Sequence, residues 1–194
     1  ALPIFKAMFG DAAFREAVGL TAVNSINWAR VMAQVVYYAV AAELLAGPID
    51  VCVPSGNFGN VFAGWIARRA GAPIDRLVVA TNANDILHRF FAANDMTAAP
   101  VVPSISPSMD IQVSSNFERL LFEMNDRDGA ATAAQLSAFR ATGTLTVTAA
   151  QRAEYLDGTF DSARLDDVET LDVMARTYRD AGMLLDPHTA VGVD

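Results

Sequence analysis

The chain has 194 residues, of which 53% are hydrophobic, and carries a formal net charge of −8 with a pI of about 4.6. That length and apolar content suffice for one packed domain or a large part of one. The acidity, with no basic cluster beyond Arg68-Arg69, excludes nucleic acid and anionic membranes as expected partners. A lone cysteine, Cys52, rules out an intrachain disulfide framework; inside the apolar run IDVCV it reads as a buried, inert thiol of a reducing, cytoplasmic compartment.

In chain order, the first long pattern is helical. Ile26, Trp28, Val31, Met32, Val35, Val36 and Val40 recur at helical rather than alternating spacing, and Gly47-Pro48 stops the run. The tract VMAQVVYYAVAAELLAG carries Gln34 and Glu43 and falls short of a spanning helix, so a buried helix is expected. No charged n-region with a small-residue cleavage site opens the chain, and export is not expected. IDVCVP then reads as a short buried strand, NVFAGWIARRAG as a helix closed by Gly71 and Pro73, RLVVAT as a second strand and NDILHRFFAAND as a further helix. Strands alternating with helices over short connections predict an α/β fold with a parallel sheet and flanking helices.

After residue 95 the character changes. TAAPVVPSISPSMD, rich in Pro and Ser, reads as an extended loop over 96–113. The part from 114 to 194 reads as largely helical, through FERLLFEMND, GAATAAQLSAFRA, TAAQRAEYLDG and DVETLDVMARTYRDAG, with a strand expected only near Leu184-Leu185. No internal repeat is found.

The chemistry concentrates in VPSGNFGN. A strand that ends there, followed at once by a helix, places Gly56, Gly59 and the intervening N–H groups at a helix N-terminus, where unpaired donors and the macrodipole favour an anion. The G-x-x-G spacing is neither the dinucleotide G-x-G-x-x-G nor the P-loop pattern, and no lysine follows it. A tight turn capped by Ser55 or Asn57 is the competing reading, and spacing alone leaves the two even. Likewise Asn24 reads as a helix cap or a ligand, and Arg30 as a solvated charge or an anion grip. Asp186 and Pro187 open a short helix in which Thr189 is a first-turn residue. His88, His188 and Cys52 have no metal-ligand spacing, and no metal site is expected.

NSINWAR at 24–30, VPSGNFGN, ATNANDILHRF and SSNFERLLFE, in this order, resemble threonine synthase, a pyridoxal 5′-phosphate (PLP) enzyme of fold type II. The resemblance runs from IFKAMFGD to DPHTAVG and implies a tryptophan synthase β-like architecture, with residues 1–194 a portion of the large PLP-binding domain. It implies that the amides of Gly56, Asn57, Phe58, Gly59 and Asn60 bind the cofactor phosphate, that Asn24 and Arg30 hold the phosphate of the substrate O-phospho-L-homoserine, and that the Thr189 hydroxyl meets the pyridine nitrogen. The implied enzyme is a monomer or homodimer that converts O-phospho-L-homoserine and water into L-threonine and phosphate.

One requirement of that chemistry is not met. PLP enzymes need a lysine amine for the Schiff base, and the single lysine, Lys6, lies in IFKAMFGD, which matches the stretch before NSINWAR rather than the family's [TS]-x-x-F-K-D motif. Lys6 is therefore expected at the surface, the chain is expected to be the C-terminal portion of a threonine synthase, and no catalytic residue is assigned within it. A serine or threonine dehydratase and a non-catalytic PLP- or phosphate-binding fragment remain as alternatives; Arg30 in NSINWAR favours the synthase.

Overall fold

A computed structural model describes residues 2–20 and 27–193. Asn24 and Ile26, and the side chain of Lys6, lie outside what is described. Two short helices, α1 (Leu2–Gly10) and α2 (Ala12–Val18), precede α3 (Trp28–Leu44), β1 (Ile49–Pro54), α4 (Gly59–Arg69), β2 (Ile74–Thr81) and α5 (Ile86–Ala93). There follow β3 (Met96–Thr97), a 3-10 turn at Pro107–Met109, α6 (Phe117–Met124), α7 (Gly129–Thr142) and β4 (Thr144–Leu145). The last part holds α8 (Ala149–Gln151), which continues as a π-helical turn at Arg152–Leu156, then β5 (Phe160–Arg164), α9 (Asp167–Ala181) and α10 (Pro187–Ala190).

The main sheet is parallel, in the order β1-β2-β5, with Val53 opposite Val79 and Leu77 opposite Phe160. The expected strand at Leu184-Leu185 does not form: Leu184 is exposed, and the strand that completes the sheet is Phe160–Arg164. Its sequence, FDSAR, lies at the sheet's edge and is half exposed, so it carries no continuous apolar run to mark it. A two-stranded antiparallel ribbon joins β3 to β4.

Helices α4 and α5 pack on this sheet, and α3 packs on α4. Gly64 allows that crossing, because a Cβ there would lie 2.9 Å from both Leu77 Cδ2 and Tyr38 Cε1. The core runs through Leu77, Val79, Val61, Phe90, Leu120 and Leu121, all but inaccessible to solvent. Helix α3 departs from expectation. Only Val31, Tyr38 and Ala42 are buried, while Trp28, Met32, Val36, Val40 and Leu44, four residues apart in succession, form an exposed apolar stripe. One face meets α4; on the other, Trp28 is partly covered by Phe62 and by the Arg119 guanidinium, while Met32, Val36, Val40 and Leu44 stay exposed. Cys52 is exposed as well, because β1 pairs with β2 alone and leaves an open edge; partial desolvation still pushes its thiol above the ordinary pKa. Among the described residues, no helix is long and apolar enough to cross a membrane.

Candidate phosphate-binding site

The loop between β1 and α4 is built around Phe58. Its side chain is fully buried, with ring centroids 5.8 Å from Phe91, 5.7 Å from Phe117 and 6.0 Å from Phe160. This aromatic cluster pins the loop to the core and holds Phe58 at φ 64°, a left-handed conformation that an L-residue adopts only under such constraint. From that position Phe58 is the N-cap of α4, and no side chain caps the helix. Ser55 Oγ instead accepts the Phe58 N–H at 3.0 Å, closing the turn below the helix. The capped-turn reading thus applies to Ser55 and the loop, not to the helix terminus.

Four donors are left over. Among the described residues, none accepts a hydrogen bond from the N–H of Gly56, Asn57, Gly59 or Asn60. The side chains that could compete are engaged elsewhere. Asn57 Oδ1 accepts from the Ser115 hydroxyl at 3.1 Å, and the Asn57 carbonyl accepts the Asn116 N–H at 3.1 Å. Asn60 Oδ1 accepts from the hydroxyls of Tyr37 and Tyr38. Asn116 is fully buried and its Nδ2 makes no hydrogen bond. The backbone of the loop therefore carries the free donors, as an anion cradle requires.

The loop lines a cavity of about 340 Å³, together with Arg30, Gln34, Pro54, Ser55, Ser108, Met109 and His188. In a chain of net charge −8, no carboxylate among the described residues lines it, and Arg30, exposed and without an ion-pair partner among them, supplies a positive charge. Two larger hollows, of about 510 and 540 Å³, are lined by Glu118 and Glu123 and by Glu43 respectively, and suit an anion less well. Gly56 is required where it stands: a Cβ would lie 3.1 Å from Met109 Cα and 3.3 Å from the Ser108 carbonyl oxygen. These donors, the bare backbone at Gly56 and the absence of carboxylates fit a phosphate group.

The structure thus brings Arg30 and Gly56 to Asn60 to one cavity, while Thr189 is not among the lining residues. The Thr189 hydroxyl donates to Asp186 Oδ2 at 2.6 Å, and this bond, with the Thr189 N–H, holds the Asp186 carboxyl below its usual pKa. Sequence reasoning offers no ground for treating His188 as a ligand and does not single out Ser108 or Met109. All three line the cavity, and His188 Nε2 accepts the Ser108 N–H at 3.2 Å. Nothing in the spacing of SPSMD marks it as a cavity wall, since only the fold brings it onto Gly56.

A parallel sheet with unengaged loop amides at the carboxyl end of its first strand places the chain among open α/β folds that bind ligands at that end, a class to which the PLP enzymes of fold type II belong. No family model matches the chain. In structure it aligns over 99% of its length with a PLP-bound threonine synthase from Brucella melitensis, at TM-score 0.93 and 43% identity, covering 42% of that chain. Maize serine racemase, at TM-score 0.61 and 15% identity, shares the fold. In sequence the chain is 52% identical over 191 residues to threonine synthase of Pseudomonas aeruginosa, and 39% identical to that of Schizosaccharomyces pombe. The chain is thus a homologue of threonine synthases, matched along 97% of its own length and spanning about 40% of the length of these relatives.

Proposed function

We propose that the chain forms the phosphate-binding part of a cytoplasmic, PLP-dependent threonine synthase, an enzyme that converts O-phospho-L-homoserine and water into L-threonine and phosphate. The observation that carries this reading is the set of four backbone donors unengaged among the described residues, around a cavity to which none of those residues brings a carboxylate. When bound, PLP supplies an electron sink that makes protons of the amino-acid substrate removable. The chain's own residues bind and orient. The N–H groups of Gly56, Asn57, Gly59 and Asn60 would hold the cofactor phosphate, and Phe58 would fix the loop through its ring, its own N–H being taken by Ser55. Arg30, with Asn24, would hold the substrate phosphate, a task suited to the planar two-point fork of a guanidinium. For Thr189 to meet the pyridine nitrogen, its hydroxyl would turn away from Asp186.

The only lysine is Lys6, so the amine that tethers the cofactor would come from outside this chain, and the chain by itself would bind phosphate without turning substrate over. The reading is tested by titrating the isotopically labelled chain with inorganic phosphate and following backbone amide resonances. Shifts should centre on residues 56–60. Shifts confined to other segments, with this loop unmoved, would refute it.

A further inference from the structure

The Pro- and Ser-rich segment that walls the cavity is not held by packing alone. Its tip, the turn Pro107–Met109, lies against Gly56, and its two flanks converge on one carboxylate. Asp110 Oδ1 accepts from Asn82 Nδ2 at 2.9 Å, from Asn84 Nδ2 at 2.9 Å and from the Ser104 hydroxyl at 2.6 Å, while Oδ2 accepts the Ser104 N–H at 3.0 Å. Asn82 and Asn84 are 1% and 3% exposed and stand just past the carboxyl end of β2. Asn84 also grips Val102 at two points, donating to its carbonyl at 2.8 Å and accepting its N–H at 2.9 Å.

We propose that Asp110 is a positioning residue for the phosphate cup. With Asn82, Asn84 and Ser104 it clamps segment 104–111 to the end of β2, and so sets the distance between the Ser108-Met109 wall and the 56–60 loop. The proposal rests on the reading of that loop as a phosphate site. Physically, a carboxylate drawn toward the interior is tolerated only when its lone pairs are satisfied, and four donors do so here, two from the end of β2 and two from Ser104. The clamp closes the loop at Ser104 and Asp110, one residue beyond Met109, so its geometry passes directly to the tip. The tolerance is small: the gap a Cβ on Gly56 would find is already 3.0–3.3 Å.

The sign of the effect separates this role from simple electrostatics. Asp110 is an anion close to an anion site, and removing its charge would by Coulomb's law tighten phosphate binding. A clamp predicts the reverse. In Asp110→Asn an amide group must face either the Ser104 N–H or the two asparagine amides, donor against donor. Ser104→Ala removes the hydroxyl that bridges Asp110 and Asn82. The 194-residue chain and its variants are titrated with inorganic phosphate, with shifts read at residues 56–60 and folding checked by circular dichroism. Asp110→Asn and Ser104→Ala should each weaken binding on the order of tenfold, the low end of what loss of a supporting hydrogen-bonded shell costs a bound group. Ser104→Thr, which keeps the hydroxyl, should retain affinity. The nuclear Overhauser contact between Gly56 and Met109 should fade in the two weakened variants. If Asp110→Asn fails to fold, the Ser104 pair alone decides. Folded variants that bind phosphate as well as or better than the parent overturn the clamp while leaving the cup in place. A parent chain that shows no shifts at 56–60 overturns the reading of the loop and the proposal with it.

Discussion

Two side chains beside the cup lead to expectations of opposite kinds. Arg30 lines the cavity without an ion-pair partner among the described residues, so its guanidinium can face a ligand. In this chain joined to the remainder of a threonine synthase, Arg30→Ala should lower kcat/KM for O-phospho-L-homoserine by roughly ten- to hundredfold, the equivalent of a charge-assisted bond of about 1.5–3 kcal/mol. PLP binding by that whole enzyme should barely change, because backbone amides at 56–60 would hold the cofactor phosphate, and Arg30→Lys should recover only part of the loss. Intact phosphohomoserine turnover alongside dominant serine or threonine deamination would favour the dehydratase instead. Tyr38 has the opposite character: it is buried, donates to Asn60, and burial pushes its hydroxyl well above the ordinary tyrosine pKa. The folded chain therefore holds this proton more tightly than the unfolded chain does. That stabilisation is complete below about pH 10, the unfolded value, and is lost as pH rises beyond it. Tyr38→Phe, less stable at neutral pH by one hydrogen bond, should lose stability less steeply than the parent in melts between pH 9 and 11; parallel curves would refute this. At this scale the sequence displayed the donors but not their consumers. VPSGNFGN announced a loop at a helix start and offered Ser55 as the cap of its turn, whereas the engagement of the Asn57 and Asn60 side chains by Ser115 and the two tyrosines arises from residues remote in sequence.

The elements that could be read from sequence were those whose local signals agree. IDVCVP, RLVVAT and the helices that follow each carry an apolar pattern ended by Pro, Gly or Asn, and they form where the pattern places them. FDSAR has no such agreement and becomes a strand only because β2 offers it a partner. Helix α9 belongs to the legible kind and has a strong start signal. The Asp166 carboxylate accepts the N–H groups of Val168 at 2.9 Å and Glu169 at 3.0 Å, while Glu169 reaches back to the Asp166 N–H at 2.7 Å. Asp166→Ala should cost about 1 kcal/mol, a fall of about 2–4 °C in Tm for a domain of this size. Hydrogen exchange should show the added opening first in the initial turn of α9, whose side chains join the small cluster of Leu165, Val173, Leu185 and Ala190 rather than the main core. A uniform loss of protection across the whole chain would contradict that picture.

Taken whole, the molecule has one finished side and one unfinished side. The apolar stripe of α3, from Trp28 to Leu44, and the unpaired edge of β1 both reach solvent. Such a surface promotes association, so the isolated chain should self-associate in a concentration-dependent way. Val36→Lys with Val40→Glu should shift it toward monomer in light scattering without lowering Tm by more than about 2–4 °C, since surface substitutions away from packed features usually fall within about 0.5 kcal/mol each. The stripe was visible in the sequence as a helical period, but not its exposure, because periodicity identifies an apolar face without saying whether anything covers it. The order β1-β2-β5 has a further consequence, in time rather than in energy. β1, α4 and β2 are neighbours in sequence and can form their contacts by closing short loops, whereas β5 must return from residues 160–164 to pair with 74–81. Loop closure over that span precedes any reward from the pairing. The unit from 49 to 81 should therefore be able to assemble while β2 still shows a bare edge. During that interval the nascent sheet is open on both sides, and refolding yield should fall with protein concentration more steeply than the stability of the finished chain alone would suggest.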